Sequence, residues 1–172
     1  QNLSILICQK SRINKIHTSK IYRFFAEERN ALFDLIRYVE FEKAFIEYGF
    51  PKISTKLEKD IMNKLFSKRK LAYHTSSVGK HIVYIHRIAS YYIKCFNFQP
   101  HFKNDRDGVK KSEDYKIYHF TQNSYQYISI ISSSIFYIYW LFFYDLFKAG
   151  KYAIENFPIG DFNDVKIEEN LD

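Results

Sequence analysis

The sequence predicts an α+β fold: a small mixed or antiparallel sheet packed against a basic amphipathic helix at about 55–69 and a long aromatic core helix at about 124–147. Three observations lead there. Leu57, Ile61 and Leu65 recur at i, i+4 and i+8, joined by Met62 and Phe66, which makes one apolar helical stripe. Runs rich in β-branched and aromatic residues, His81–Arg87, Ser90–Phe96 and Tyr115–Phe120, read as strands. Ile128, Ile131, Ile135, Ile138 and Phe142 then mark a long helix through a segment without a charged residue from 117 to 144. The chain has 172 residues, enough to bury a core of its own, and 47% of them are hydrophobic with only 5 Gly and 3 Pro. Disorder is a poor reading of such a composition. Aromatics are abundant, with 17 Phe, 15 Tyr and 1 Trp.

The elements follow in order. Leu3–Cys8 is a short apolar run that fits a buried strand, and Ile13–Lys20 is polar and basic and reads as a connector. A short helix is expected in Phe24–Leu35, leading to a strand at Leu35–Phe41; Tyr22, Phe24 and Phe25 fit a core better than a base-stacking surface. Gly49 and Pro51 stop that element. Thr55 with Glu58 forms a capping-box pattern at the head of the amphipathic helix. Lys68-Arg69-Lys70 stands at its C-terminal end, where cations meet the negative pole of the helix dipole. Residues 75–80 read as a loop, and Lys103–Asp114, containing Gly108, as a second. Residues 161–172 hold Asp161, Asp164, Glu168, Glu169 and Asp172 and read as a solvated acidic tail.

Charge is unevenly placed. There are 26 Lys+Arg against 19 Asp+Glu, a formal charge of +7, and the sequence pI is about 9.2. Residues 1–23 carry Lys10, Arg12, Lys15, Lys20 and Arg23 with no acid, and residues 51–116 hold fifteen bases against six acids. A basic middle suits a polyanion, because each neutralised phosphate releases condensed counterions. A solvated basic face would look the same in the sequence.

Enzymatic motifs are missing. The six histidines have no metal-ligand spacing, and Cys8 and Cys95 stand too far apart to form a metal pair or a disulfide framework. A reducing cytoplasm is the default for such cysteine usage. There is no Gly-rich phosphate loop, no H-E-x-x-H and no G-x-S-x-G. The carboxylate pairs Glu27-Glu28, Glu168-Glu169 and Asp105/Asp107 read as solvated surface. No initiator Met or signal sequence opens the chain, and Gln1 reads as the start of a fragment.

Several stretches in order carry a resemblance. Leu3-Ser-Ile-Leu-Ile-Cys-Gln-Lys10 and Ile21-Tyr-Arg-Phe-Phe-Ala-Glu-Glu-Arg29, leading to Leu32-Phe33, resemble the passage out of the catalytic core in adenine-specific DNA methyltransferases of type II restriction-modification systems. Phe50-Pro-Lys-Ile53, Ile131-Ser-Ser-Ser-Ile-Phe-Tyr-Ile-Tyr-Trp140 and Ile154-Glu-Asn-Phe-Pro-Ile159 resemble later parts of that family. The resemblance implies a C-terminal target recognition domain, here 24–160, after the end of a methyltransferase core and basic connector at 1–23. It implies double-stranded DNA as partner, together with a catalytic domain of the same chain, a nuclease fused or separate, and the cytoplasm as location. That catalytic domain would bind S-adenosylmethionine and flip adenine against an Asn-Pro-Pro-Tyr-type motif. No Asn-Pro pair occurs here, so no residue of this chain is assigned to methyl transfer or to a cofactor. The resemblance also makes 125–147 a core helix in which Ser132–Ser134 permit close packing.

The candidate DNA-binding residues are Lys52, Ser54 and Lys56 at the helix start, Thr75, Ser76, Ser77 and Lys80 in the first loop, and Arg87, Lys103, Arg106, Lys110 and Lys111 beyond it. Arginine can grip guanine in bidentate fashion, so Arg87 and Arg106 suit base reading and the lysines suit phosphates. Two other classes stay open at this point. One is a protein-interaction domain of a multi-subunit assembly presenting a tyrosine-rich surface. The other is a membrane-attached protein using 125–147 as a span of roughly 20 residues, against which its serines and internal tyrosines speak.

Overall fold

The computed structural model describes residues 7, 16–41, 47–89, 92–106, 108–144 and 147–160. The apolar run at 3–8, apart from Ile7, and the acidic tail at 161–172 lie outside the described residues.

The centre is a three-stranded antiparallel sheet in the order β4–β3–β7, with β3 at His81–His86, β4 at Cys95–Phe96 and β7 at Tyr115–Phe120. Alternation does the sorting: Val83 and Ile85 of β3 and Tyr118 and Phe120 of β7 point inward and are buried. The loop before β3 lies flush on β7. Ser76 N–H donates to His119 O at 2.9 Å, and Thr121 N–H donates to His74 O at 3.0 Å. Gly79 is required there, because a Cβ would sit 2.3 Å from the Phe120 carbonyl oxygen.

The long aromatic segment covers this sheet, but not as one helix. It forms α3 at Ser124–Ile131 and α4 at Ser134–Phe143, bent by 55° at the break. The serines cause the break. Ser133 Oγ accepts the Phe136 N–H at 3.3 Å and donates to Ile130 O at 2.6 Å, so one side chain closes α3 and caps α4. Ser132 Oγ donates to Ile93 O at 3.4 Å, holding the break against the sheet side of the core. No single helix among the described residues is long and apolar enough to cross a membrane; only this bent pair has the length and composition together. Most of its aromatic residues face inward, although Tyr125 is exposed. Tyr127 stacks on Phe120 at 4.0 Å, and Phe136, Tyr139, Trp140 and Phe143 are buried. Trp140 Nε1–H donates to Lys148 O at 3.2 Å. Helix α5, Lys151–Glu155, buries Ala153 and Ile154, and Phe157 beyond it meets Phe136 edge-on at 4.8 Å.

Helix α2 runs over Lys56–Phe66 with Thr55 as N-cap and the reciprocal Glu58 bond of a capping box, as the sequence pattern requires. It ends before Lys68-Arg69-Lys70, which therefore lie past the helix. Its stripe is covered only in part: Met62 is buried, whereas Leu57 and Ile61 are exposed. The helix meets the body through its C-terminal half, where Phe66 stacks on Tyr48 at 4.0 Å and meets Phe143 edge-on at 5.2 Å.

The remaining elements depart from the sequence reading. The connector at 13–20 contains strand β1, Ile16–Thr18, paired antiparallel with β2, Val39–Phe41, so this ladder joins the two sides of residue 23. Between them lie a 3-10 helix at Ala26–Ala31 and a single turn of α-helix, α1, at Leu32–Leu35, neither burying a residue. Phe24 and Phe25 are 44% and 76% exposed, and Tyr22 is half-buried, its hydroxyl accepting the Arg37 N–H at 2.7 Å; none of the three joins the core. The loop expected at Lys103–Asp114 contains a hairpin, β5 at His101–Asn104 and β6 at Gly108–Lys111.

Candidate nucleic-acid interface

That hairpin is the most exposed ordered element bearing several cations. Its register pairs His101 with Lys111, Phe102 with Lys110, Lys103 with Val109 and Asn104 with Gly108. Opposite residues share a face, so His101, Lys103, Val109 and Lys111 line one side of the ribbon, and Phe102, Asn104 and Lys110 the other. All but Asn104 are exposed. Arg106 sits in the connecting turn, where its N–H donates to Asn104 Oδ1 at 3.0 Å. The chain reverses at Gly108, whose φ of +69° is a left-handed conformation that side chains disfavour. Ser112 N–H closes the base of the ribbon on Pro100 O at 2.9 Å. Among the described residues, no carboxylate lies within ion-pair reach of Lys103, Arg106 or Lys111.

The other candidates are distributed by the sheet. Arg87 follows β3 at the end from which the ribbon springs, and it pairs with Asp114 at 3.3 Å while its N–H donates to Asp114 O at 2.9 Å. Both side chains are half in solvent, so the pair contributes little to stability and Arg87 can exchange partners. The loop holding Thr75, Ser76, Ser77 and Lys80 lies at the opposite end of β3, about 17 Å away at some 3.4 Å per residue. There Thr75 Oγ1 donates to Ala72 O at 2.8 Å and Ser76 Oγ accepts the Val78 N–H at 3.3 Å, while Ser77 and Lys80 are exposed. At the start of α2, Lys56 is exposed. Ser54 is buried, and Lys52 Nζ donates to Phe142 O at 3.3 Å, which ties it to the end of α4. The structure thus brings Arg87, Lys103, Arg106, Lys110 and Lys111 to one end of the molecule and leaves the other seven elsewhere.

His101, Phe102, Asn104 and Val109 join the ribbon without having been singled out in the sequence. The signal was present: Asp107-Gly108 flanked by alternating residues is the dipeptide pattern of a tight hairpin. Among the described residues no group of three or more His, Cys, Asp or Glu side chains is placed to hold a metal ion. No protein-family model matches the chain, and neither curated proteins nor solved structures show a significant match to it.

A two-stranded ribbon has the cross-section that the major groove of B-form DNA admits, about 12 Å wide. Its long side chains can reach phosphates on both walls while the turn approaches base edges. The ribbon offers lysines along both faces and an arginine at the tip.

Proposed function

We propose that this chain is the sequence-specific DNA recognition module of a type II restriction-modification adenine DNA methyltransferase. In that reading it positions duplex DNA for a catalytic domain of the same protein, which uses S-adenosylmethionine in the cytoplasm. The observation that supports it best is the cationic β-ribbon at 101–111, with Arg87 at its base and Arg106 at its tip. The resemblance along the chain supplies the class. Lys103, Lys110 and Lys111 would hold phosphates and fix the register, and Arg106 would read a guanine edge.

The test is fluorescence anisotropy of a labelled duplex library against salt. Three phosphate contacts, from Lys103, Lys110 and Lys111, give a slope of log K against log salt of about −2.7. Changing Lys103, Arg106, Lys110 and Lys111 to alanine should flatten that slope towards zero; salt-independent binding would remove the reading. A protein-interaction domain is the second reading, favoured by the exposure of Phe25, Phe33 and Tyr38. Self-association at low micromolar concentration without DNA affinity would put that reading first.

A further inference from the structure

A second cationic surface lies away from the ribbon, past the end of α2. A cleft of about 570 Å³ opens there, walled by Tyr48 and Phe66 and rimmed by Ser67–Lys70 and Tyr73. We propose that this cleft binds a nucleotide, with phosphate at Lys68 and the base against Tyr73.

Its frame is fixed by backbone. Leu71 N–H donates to Phe157 O at 2.7 Å, and the N–H groups of Ile159 and Gly160 both donate to Arg69 O, at 2.7 and 3.1 Å. An isolated bridge joins Lys70 to Pro158. Residues 69–71 are therefore pinned to the segment 157–160, and the cations at the rim are displayed from that edge.

Each lining group has its own assignment. The Tyr48 ring is occupied: Phe66 stacks on it at 4.0 Å, and the Lys70 ammonium lies 5.0 Å from its centroid while also pairing with Glu47. That pairing, first through the hydrogen bond that Lys70 donates to Glu47, holds the Lys70 ammonium above its usual range. These groups form an inner wall whose rings and charges already have partners. Lys68 is different: its stem runs along Gly160, and among the described residues no carboxylate pairs with its ammonium. Tyr73 is 73% exposed at the mouth, so its ring is open to a flat partner.

A solvated cation and an open aromatic ring lining one cleft match a phosphate joined to a heteroaromatic ring. Such sites bind bases by stacking and backbone by charge. A bare anion would leave the open Tyr73 ring unused. The nucleotide can be free in solution or an unpaired nucleotide of a strand, since the chemistry offered is the same.

The full chain, labelled with 15N, would be titrated with AMP, adenosine, inorganic phosphate, phenyl phosphate and a six-residue oligothymidylate. Saturable shifts of the Ser67–Tyr73 amides are expected with AMP, with Kd about tenfold lower than for adenosine or phosphate alone. Lys68→Gln and Tyr73→Ala, both at exposed positions, should each raise the AMP Kd about tenfold at unchanged Tm. An oligothymidylate Kd well below that of AMP assigns the site to a strand, and equal values assign it to the free nucleotide. Phosphate alone matching AMP, or phenyl phosphate matching it, overturns the proposal in favour of a simple anion or a phosphotyrosine-like group. Lys103→Ala should leave AMP binding unchanged, so loss of duplex binding at the ribbon would not bear on this result.

Discussion

The β3–β7 pairing and the β5–β6 ribbon obey the same local rule, antiparallel strands with alternating side chains, and come to opposite ends. In the sheet, one face carries Val83, Ile85, Tyr118 and Phe120 into a core shared with α3, α4 and α5. In the ribbon neither face is covered: Phe102 is 45% and Val109 is 68% exposed. A lone two-stranded hairpin is marginal in water. This one is held by a turn at Gly108, by the Ser112–Pro100 closure and by anchorage to the strands on either side. The difference teaches where the stability of this protein and the proposed DNA contact are separable. The aromatic body can lose stability without losing cations, and the ribbon can lose cations without losing stability.

The sharpest way to break that contrast is Trp140→Ala. The indole is buried and donates to Lys148 O, so its removal should cost about 4 kcal/mol by urea unfolding, from cavity and lost hydrogen bond together. The same measurement on Phe102→Ala should move by no more than about 0.5 kcal/mol. Gly79→Ala comes next. A methyl 2.3 Å from Phe120 O must displace the loop or β7, at about 2–3 kcal/mol.

Alkaline pH should weaken the body selectively. Burial pushes the Cys95 thiol up to about 12 and the Tyr144 phenol up to about 12, and raises Tyr118 and Tyr139 as well. Tyr139 and Tyr144 share a hydrogen bond of 2.9 Å between their hydroxyls. The folded chain keeps these protons where the unfolded chain releases them, above the ordinary values of 9.0 and 10.0. Their contribution is complete below those values and is lost as pH rises towards 12. The Tm should therefore fall steadily from pH 9 upward; a flat profile would mean that these groups are solvated. Ser133→Ala is a smaller perturbation. Losing the cap between α3 and α4 should cost ~1 kcal/mol, read as a shift of the urea midpoint, with Ser133→Asp restoring most of it. The smallest stability change is expected from Lys103→Ala and Lys111→Ala, each within about 0.5 kcal/mol. Each should nevertheless reduce the salt slope of duplex binding by about 0.9, and an unchanged slope would separate the ribbon from DNA.

The candidate site was legible in part. Lys103, Arg106, Lys110 and Lys111 were picked out by charge within one polar segment, and the ribbon gathers them because they are close in sequence. Ser54 and Lys52 stood out equally well as residues flanking a helix start. Yet one is buried and the other bonds to Phe142 O, 90 residues away, and nothing local to residues 52–54 carries that information. Tyr22, Phe24 and Phe25 show the reverse error. An aromatic run is ordinarily core, but here the sheet and helices fill the core with Phe120, Tyr127, Phe136 and Trp140, and the early aromatics remain outside it.

The sequence by itself determined what depends on neighbours within a turn or a strand. The capping box at Thr55 and Glu58, the inward alternation of β3 and β7 and the helical nature of 124–143 follow from periods of 3.6 and 2 and from side chains that reach their own backbone. Tertiary structure decided which apolar faces are covered. It buried Met62 and left Leu57 and Ile61 in solvent, made a strand of Ile16–Thr18 within the expected connector by giving it Val39–Phe41 as a partner, and let Ser133 cap a second helix bent 55° from the first. Burial is a property of what packs against a residue, and those partners stand tens of residues away in the chain.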